Sequence, residues 1–188
     1  RREGDWFRLT KTGDIVASGS SDEVLRVSLE EPGDGQVHMG VGNLRGWAVS
    51  SEGIARIEIL VDGVPQFDVP YGGERADVGN AFPAVSDSSQ SGFSMAYNYS
   101  GLSLGQHTIT AIAHTTGGET LESSATFKVV RFESEFIPGS DAVDLTDSVL
   151  TATDNEIMIT DVNVDGAIYD LKLRWRPAEQ GFEIIEIR

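Results

Sequence analysis

Apolar and polar residues alternate through the middle of the chain, and this period of two predicts β-strands. Leu25, Val27 and Leu29 share one face of the first such run, and Glu31 is followed by a Pro-Gly turn signal. Six further runs follow, separated by glycine- and serine-containing turns: residues 43–49, 54–61, 65–69, 92–99, 106–113 and 125–129. Seven short strands at this spacing predict an all-β fold built as an antiparallel sandwich.

The pair of runs around Asp62-Gly63 allows a prediction of strand register. A three-residue loop, 62–64, would place Val61 opposite Pro65, Ile59 opposite Phe67, and Ile57 opposite Val69. All large apolar side chains then lie on one face, as a strand with one buried face requires. We therefore predict the longer loop, with a bulge at the glycine.

Residues 70–91 lack strand periodicity, and a loop of this length in a compact domain is usually functional or disordered. Aromatic residues could anchor it as a compact surface loop, and charged residues could contact a partner. We take this loop as the candidate binding surface. The alternative is that Arg75 and Asp77 only pair with each other and hold the loop in its own conformation. The candidate binding residues are Tyr71, Arg75, Asp77 and Phe82.

Several short motifs in residues 29–131 resemble the bacterial immunoglobulin-like domain of exported and cell-surface proteins. They include Leu44-Arg45-Gly46-Trp47-Ala48, Tyr71-Gly72-Gly73-Glu74-Arg75, Ala81-Phe82-Pro83 and Leu104-Gly105-Gln106-His107-Thr108. The resemblance implies an immunoglobulin-like sandwich and a bacterial protein that is extracellular or on the cell surface. It implies no set of catalytic residues.

Two further units flank the sandwich, which we assign to residues 23–132. Residues 1–22 read as an N-terminal hairpin or arm that could pair with another chain, or as the end of a preceding region. Residues 133–188 read as a small C-terminal β-meander unit of three strands. So few strands form a marginal core, so we expect this unit to dock on the sandwich or on another molecule.

The C-terminal unit contains a predicted hairpin about Asp165-Gly166. A bulge at Thr160-Asp161 keeps its apolar side chains on one face and places Ile159 opposite Leu171. Register then brings Asp161 close to Asp170, with Asn163 nearby. Opposed carboxylates repel unless a cation lies between them, so these three residues form a candidate Ca²⁺ site, with a solvated acidic face as the alternative. No other cofactor is expected.

Charge and composition narrow the list of partners. The chain of 188 residues carries 30 acidic and 14 basic side chains, a net charge of −16. Phosphate binding needs a basic face, so we expect neither nucleic acid nor an anionic membrane as a partner. No apolar run is long enough to insert across a bilayer. The absence of cysteine excludes disulfides and thiolate metal sites.

Two features could suggest an enzyme. Gly101-Leu102-Ser103-Leu104-Gly105 fits the G-x-S-x-G pattern of serine hydrolases. That motif needs a strand-to-helix turn, and no helical period follows it here. His107 and His114 are seven residues apart, so a regular strand puts them on opposite faces and makes them a poor metal pair. We expect no catalytic activity.

The sequence therefore favours a non-catalytic structural or adhesive module that acts through contacts with a protein partner or with its own copies. The alternative is a carbohydrate-binding module appended to a secreted enzyme, with a glycan as partner. A row of exposed aromatic residues would favour that alternative. Its candidates are Trp6, Tyr71, Tyr97, Tyr99 and Trp175.

Overall fold

A computed structural model describes residues 23–134, 137–177 and 180–188. It contains fourteen strands in three sheets. The strands of residues 25–129 are β1 Leu25–Glu31, β2 Gln36–His38, β3 Val41–Ser50, β4 Ile54–Val61, β5 Val64–Val69, β6 Tyr71–Gly73, β7 Gly92–Asn98, β8 Gly105–Thr115 and β9 Thr120–Val129. The remaining strands are β10 Val143–Asp144, β11 Val149–Thr153, β12 Glu156–Val164, β13 Ala167–Arg176 and β14 Gly181–Ile187.

The first two sheets form the predicted sandwich, and the all-β fold class is confirmed. The first sheet has the order β1-β3-β7-β6 and the second β2-β9-β8-β4-β5. Alternate residues of the longer strands point into one shared core, which excludes water from large side chains of both sheets. Its fully buried members include Leu44, Phe93, Tyr99, Ile57, Ile59, Ile109 and Phe127.

The register predicted for β4 and β5 is correct in its inner pairs and wrong at the turn. Ile57 lies opposite Val69 and Ile59 opposite Phe67, but Val61 pairs with Val64. The turn therefore has two residues, Asp62 and Gly63, with φ values of 52° and 76°. The extra residue sits within β5 instead, between the pairs that Pro65 and Phe67 form, so the bulge is not at the glycine.

The sequence pattern predicted no regular structure in residues 70–91, but the structure shows some there. It contains β6, an α-helix, α1 Ala76–Ala81, and a 3₁₀ turn, Ser88–Gln90. Val78 and Val85 form a second small core with Val49, on the outer face of the first sheet. The loop is thus packed against the sandwich by its own apolar side chains.

The third sheet lies in residues 143–187 and has five strands, not three. Its order is β10-β12-β13-β14, and β11 also pairs with β12. The predicted hairpin register is confirmed in full, including the bulge between Ile159 and Val162. Its core, Val162, Val164 and Leu171, is also covered by Phe132 and Ile137.

The predicted unit boundaries at residues 22 and 132 stay predictions. The N-terminal hairpin or arm, residues 1–22, lies outside the described residues. In the described part of the chain, no helix has the length and apolar character needed to cross a membrane.

Candidate functional site

Arg75 joins the long loop to the first sheet through two carboxylates. Its guanidinium donates to both carboxylate oxygens of Glu30 on β1, at 2.8 and 3.1 Å, and to both oxygens of Asp77, at 2.7 and 2.9 Å. The hydrogen bond from Arg75 holds the pKa of Asp77 at about 2. Two of the four predicted binding residues therefore tie the loop to itself and to β1.

These contacts form one wall of a surface trough of about 540 Å³. Its floor is the outer face of the first sheet, and its rim carries charges of both signs. The lining residues include Glu30, Arg45, Gly73, Glu74, Arg75, Asp77 and Gly92. Its two arginines are already paired with carboxylates, and the lining holds three acidic and two basic side chains, so the trough offers a polar surface with a net charge of −1.

The other two predicted binding residues hold the loop down. The Tyr71 hydroxyl donates to the carbonyl oxygen of Ala48 at 2.9 Å, and burial raises the pKa of Tyr71 to about 12. Phe82 packs against Trp47, with ring centroids 5.8 Å apart. The structure thus places Arg75 and Asp77 in the trough and uses Tyr71 and Phe82 as anchors.

Asp161 and Asp170 of the candidate calcium site meet at the hairpin bulge, whereas Asn163 contacts the turn. Asp161 has a left-handed backbone, and its N–H donates to Asp170 Oδ1 at 3.3 Å. Asn163 Oδ1 accepts the Gly166 N–H at 2.9 Å. The backbone of the hairpin therefore uses two of the oxygens that an ion would need, and calcium binding stays a prediction.

Three more carboxylates meet at the end of the sandwich where the described chain begins. Oxygens of Glu23, Glu52 and Glu119 lie within 4.8 Å of one another, and all three residues are exposed. Glu52 already accepts the Thr115 hydroxyl at 3.1 Å. We assign no ion to this cluster.

The G-x-S-x-G motif brings together a serine, a histidine and an aspartate, which sequence reasoning missed. His107 Nε2 is 3.4 Å from Ser103 Oγ, and His107 Nδ1 is 2.7 Å from Asp62 Oδ2. However, Nε2 is also 2.8 Å from the carbonyl oxygen of Ser103, an atom that only accepts. A ring nitrogen that donates there cannot take the serine proton.

The surroundings of this cluster also differ from those of a hydrolase. The motif lies between a 3₁₀ turn, Tyr99–Gly101, and β8, so no helix follows the serine. The His107 side chain is 7% exposed. We interpret Ser103, His107 and Asp62 as a structural clasp that joins the β4–β5 turn to the start of β8.

The third sheet exposes large apolar side chains on its core face, among them Leu150 on β11, Trp175 on β13 and Phe182 on β14. Register places Leu150, Ile157, Trp175, Phe182 and Ile184 on the same face as buried Leu171. Leu150 is 62% exposed, Phe182 49% and Trp175 36%. We call these five residues the apolar end. The rings of Trp175 and Phe182 pack edge to face, with centroids 5.3 Å apart.

The aromatic residues proposed for glycan stacking do not form a row in the described part of the chain. Tyr99 is fully buried, and its hydroxyl donates to the Asn43 carbonyl. Tyr97 is half-buried beside Tyr99 and Phe67. Trp6 lies outside the described residues, which leaves Trp175 at the apolar end and Tyr71 in the anchored loop.

Residues 26–111 match the family model described as "Bacterial Ig domain". The matched residues make up somewhat less than half of the chain and cover most of the sandwich. Domains of this family are a non-catalytic type found typically in extracellular or surface proteins. No curated protein matches the chain.

The solved structures that match the chain include three bacterial proteins. The endo-beta-1,4-mannanase of Thermotoga petrophila is 16% identical with a TM-score of 0.45, over 61% of this chain and 22% of the enzyme. The fibronectin(III)-like modules of Clostridium thermocellum CbhA are 20% identical with a TM-score of 0.36, over 56% of this chain and 100% of theirs. Dimeric latent PorU from Porphyromonas gingivalis is 14% identical with a TM-score of 0.36, over 87% of this chain and 16% of that protein. The chain thus spans about a fifth of the mannanase.

Proposed function

We propose that the chain, whose sandwich matches the bacterial Ig domain family, is a non-catalytic structural or adhesive module of an extracellular or cell-surface bacterial protein. It acts through protein–protein contacts, including contacts between its own copies. The family match supports the non-catalytic character. The Ser103–His107–Asp62 geometry supports it as well, because the ring nitrogen that faces the serine hydroxyl at 3.4 Å lies closer, at 2.8 Å, to the Ser103 carbonyl oxygen, which can only accept.

The apolar end of the third sheet is the observation that carries this proposal. Monomeric proteins rarely expose a contiguous set of large apolar side chains without using it. Fully burying one such side chain stabilises a contact by about 1.5 to 3 kcal/mol. The five residues of the apolar end are therefore able to hold a partner protein.

The opposite face of the same sheet is charged and not apolar. Lys172 and Arg174 on that face pair with Glu156, and Arg176 pairs with Glu183. Such paired, partly exposed charges contribute little to association. We therefore expect partners to bind the core face and not the charged face.

Light scattering of three forms of the full chain tests this function. We expect the molar mass of the wild type to rise with concentration, and a double variant, W175S with F182S, to stay monomeric. The matched control is I168S, since Ile168 is 60% exposed on the charged face of the same strand. The control should associate like the wild type. Equal behaviour of the double variant and the wild type would overturn the proposal.

A further inference from the structure

We propose that the apolar end binds the apolar end of a second copy of this chain, so that two third sheets pack face to face about a two-fold axis. This inference rests on the proposed function, because it names the partner of the same surface. Each copy offers the same patch to the other, and such a contact closes at two copies.

The third sheet has only part of a second layer among the described residues. Domains are built from at least two packed layers, because a sheet has to bury its apolar face against another element. In the sandwich, each of the first two sheets supplies that layer for the other. On the third sheet, the described side chains that pack on the core from outside the sheet are those of Phe132 and Ile137. The rest of its apolar face is therefore able to receive a second sheet.

The core face of the third sheet is free of charge at its paired positions in the described strands. Register assigns to this face only uncharged side chains, from Val143 of β10 and Leu150 of β11 to Ile187 of β14. The charged side chains of Glu156 and Lys172 lie on the opposite face. Two uncharged faces can meet without burying an unpaired charge, although each copy has a net charge of −16.

The described part of the sandwich offers no comparable patch to the apolar end. Its exposed large apolar side chains lie on separate strands, as do Val41 of β3 and Val64 of β5. Tyr71 is the one exposed aromatic residue of the described sandwich. The edge-to-face pair of Trp175 and Phe182 therefore finds its best match in the same pair of a second copy.

The exposed area of the patch indicates a reversible dimer. Leu150, Trp175 and Phe182 each leave on the order of 100 Å² open, so these three contribute roughly 600 Å² across two copies. Interfaces below about 1,200 Å² in total belong to the weak, transient class. We therefore expect the molar mass of the wild type to rise with concentration and to level off at twice the mass of one chain.

Light scattering of the full chain, alone and mixed with the double variant W175S with F182S, tests the inference. At a fixed concentration of wild type, the added double variant should stay monomeric and leave the amount of wild-type dimer unchanged, because it lacks the patch that both partners need. I168S is the matched control, since it keeps the patch. Added I168S should form mixed dimers with the wild type, so the amount of dimer should rise.

The single variant F182S is a second test that preserves the fold, because Phe182 is about half exposed and lies on an edge strand of the described sheet. A two-fold dimer contains this residue twice, so the substitution removes two phenylalanine rings from the contact. We expect the dissociation constant of the dimer to rise at least about tenfold. Circular dichroism equal to that of the wild type confirms that the variant is folded.

The outcomes separate this inference from the proposed function. If the wild type grows beyond two copies, or if the double variant joins it, the apolar end binds a different surface of the second copy. The inference then fails and the proposed function stands. If F182S and the double variant associate like the wild type, or if the wild type stays monomeric at every concentration, both proposals fail.

Discussion

At the scale of single residues, the surroundings of His107 shift its pKa. Burial lowers the pKa of His107, but its hydrogen bonds to Asp62 and the Ser103 carbonyl raise it more, so the net shift is upward from 6.5. A raised folded pKa means that protonation favours the folded state. The resulting stabilisation is complete below pH 6.5 and is lost as the pH rises through the folded pKa.

Replacing Asp62 by Asn removes the carboxylate that faces His107 and so tests its effect on the His107 pKa. Asn also suits the left-handed first position of a two-residue turn, so the hairpin is preserved. We expect D62N to move the His107 pKa below 6.5, because burial remains after the carboxylate is removed. At pH 6 the free energy of unfolding should fall by about 1 kcal/mol, a value reduced by the exposure of Asp62. Histidine titration by NMR measures the pKa, and an unchanged value would contradict the clasp.

Gly46 is required by close packing within the first sheet. A Cβ at this position would overlap the carbonyl oxygen of Ser28 and the ring of Phe93. We expect G46A to lower the free energy of unfolding in urea by about 3 kcal/mol. G101A is the control, since a Cβ there meets nothing within 4 Å, and it should change stability by less than about 0.5 kcal/mol. Equal effects of the two variants would refute this packing argument.

Sequence reasoning located the loop of the trough but could not assign its side chains. Arg75 and Asp77 were considered together because they lie two residues apart, whereas the decisive partner, Glu30, is 45 residues away. The clasp was missed for the same reason, since Asp62 and His107 are also 45 residues apart. Such pairs depend on which strands become neighbours in space.

At the scale of elements, the two Asp-Gly hairpins show what a period of two can and cannot determine. Both turns have two residues with left-handed backbones. For the hairpin of β12 and β13, the apolar pattern slips between Ile159 and Val162, and this slip located the bulge correctly. For β4 and β5, two arrangements give the same alternation: a three-residue loop, or a two-residue turn with a bulge within β5. The apolar pattern could not distinguish them.

The strands that the sequence did not predict are short or exposed. Every residue of β11 is exposed, so its side chains show no alternation between core and solvent. The strand β10 has two residues and β2 and β6 have three each. Strands of this kind form because a longer neighbour offers hydrogen bonds, which a local pattern does not encode.

The connection between loop and sheet can be tested at Arg75. A lysine at position 75 cannot form the bidentate hydrogen bonds that the arginine guanidinium donates to Glu30. We expect R75K to lower the free energy of unfolding by about 1 kcal/mol and to speed proteolysis within residues 70–91. R45K is the control, because the Arg45 side chain is 52% exposed and its pairing with Glu31 contributes little. Matching protease sensitivity in the two variants would contradict the role of Arg75.

The acidic hairpin yields a prediction about calcium. If Asp161, Asn163 and Asp170 hold the ion, millimolar calcium chloride raises the Tm of the wild type, and D170N abolishes the increase. Magnesium chloride at the same concentration controls for ionic strength. An unchanged Tm of the wild type would remove the site.

At the scale of the whole molecule, only part of the apolar face of the third sheet is covered by other side chains. Phe132 and Ile137 cover one end of its apolar face, where Val162 and Val164 are buried. At the other end, Trp175 and Phe182 face solvent, and Leu150 on the edge strand β11 is exposed as well. A net charge of −16 opposes the association of separate copies, so a specific contact has to gain enough from apolar burial to offset that repulsion.

Hydrogen–deuterium exchange at low and high protein concentration tests the central claim most directly, because it shows which strands become protected on association. We predict added protection at high concentration in peptides covering β13 and β14, with no change in β4 or β8 of the sandwich core. Variant I168S should give the same pattern. Association without added protection of β14, or protection confined to the sandwich, would contradict the account.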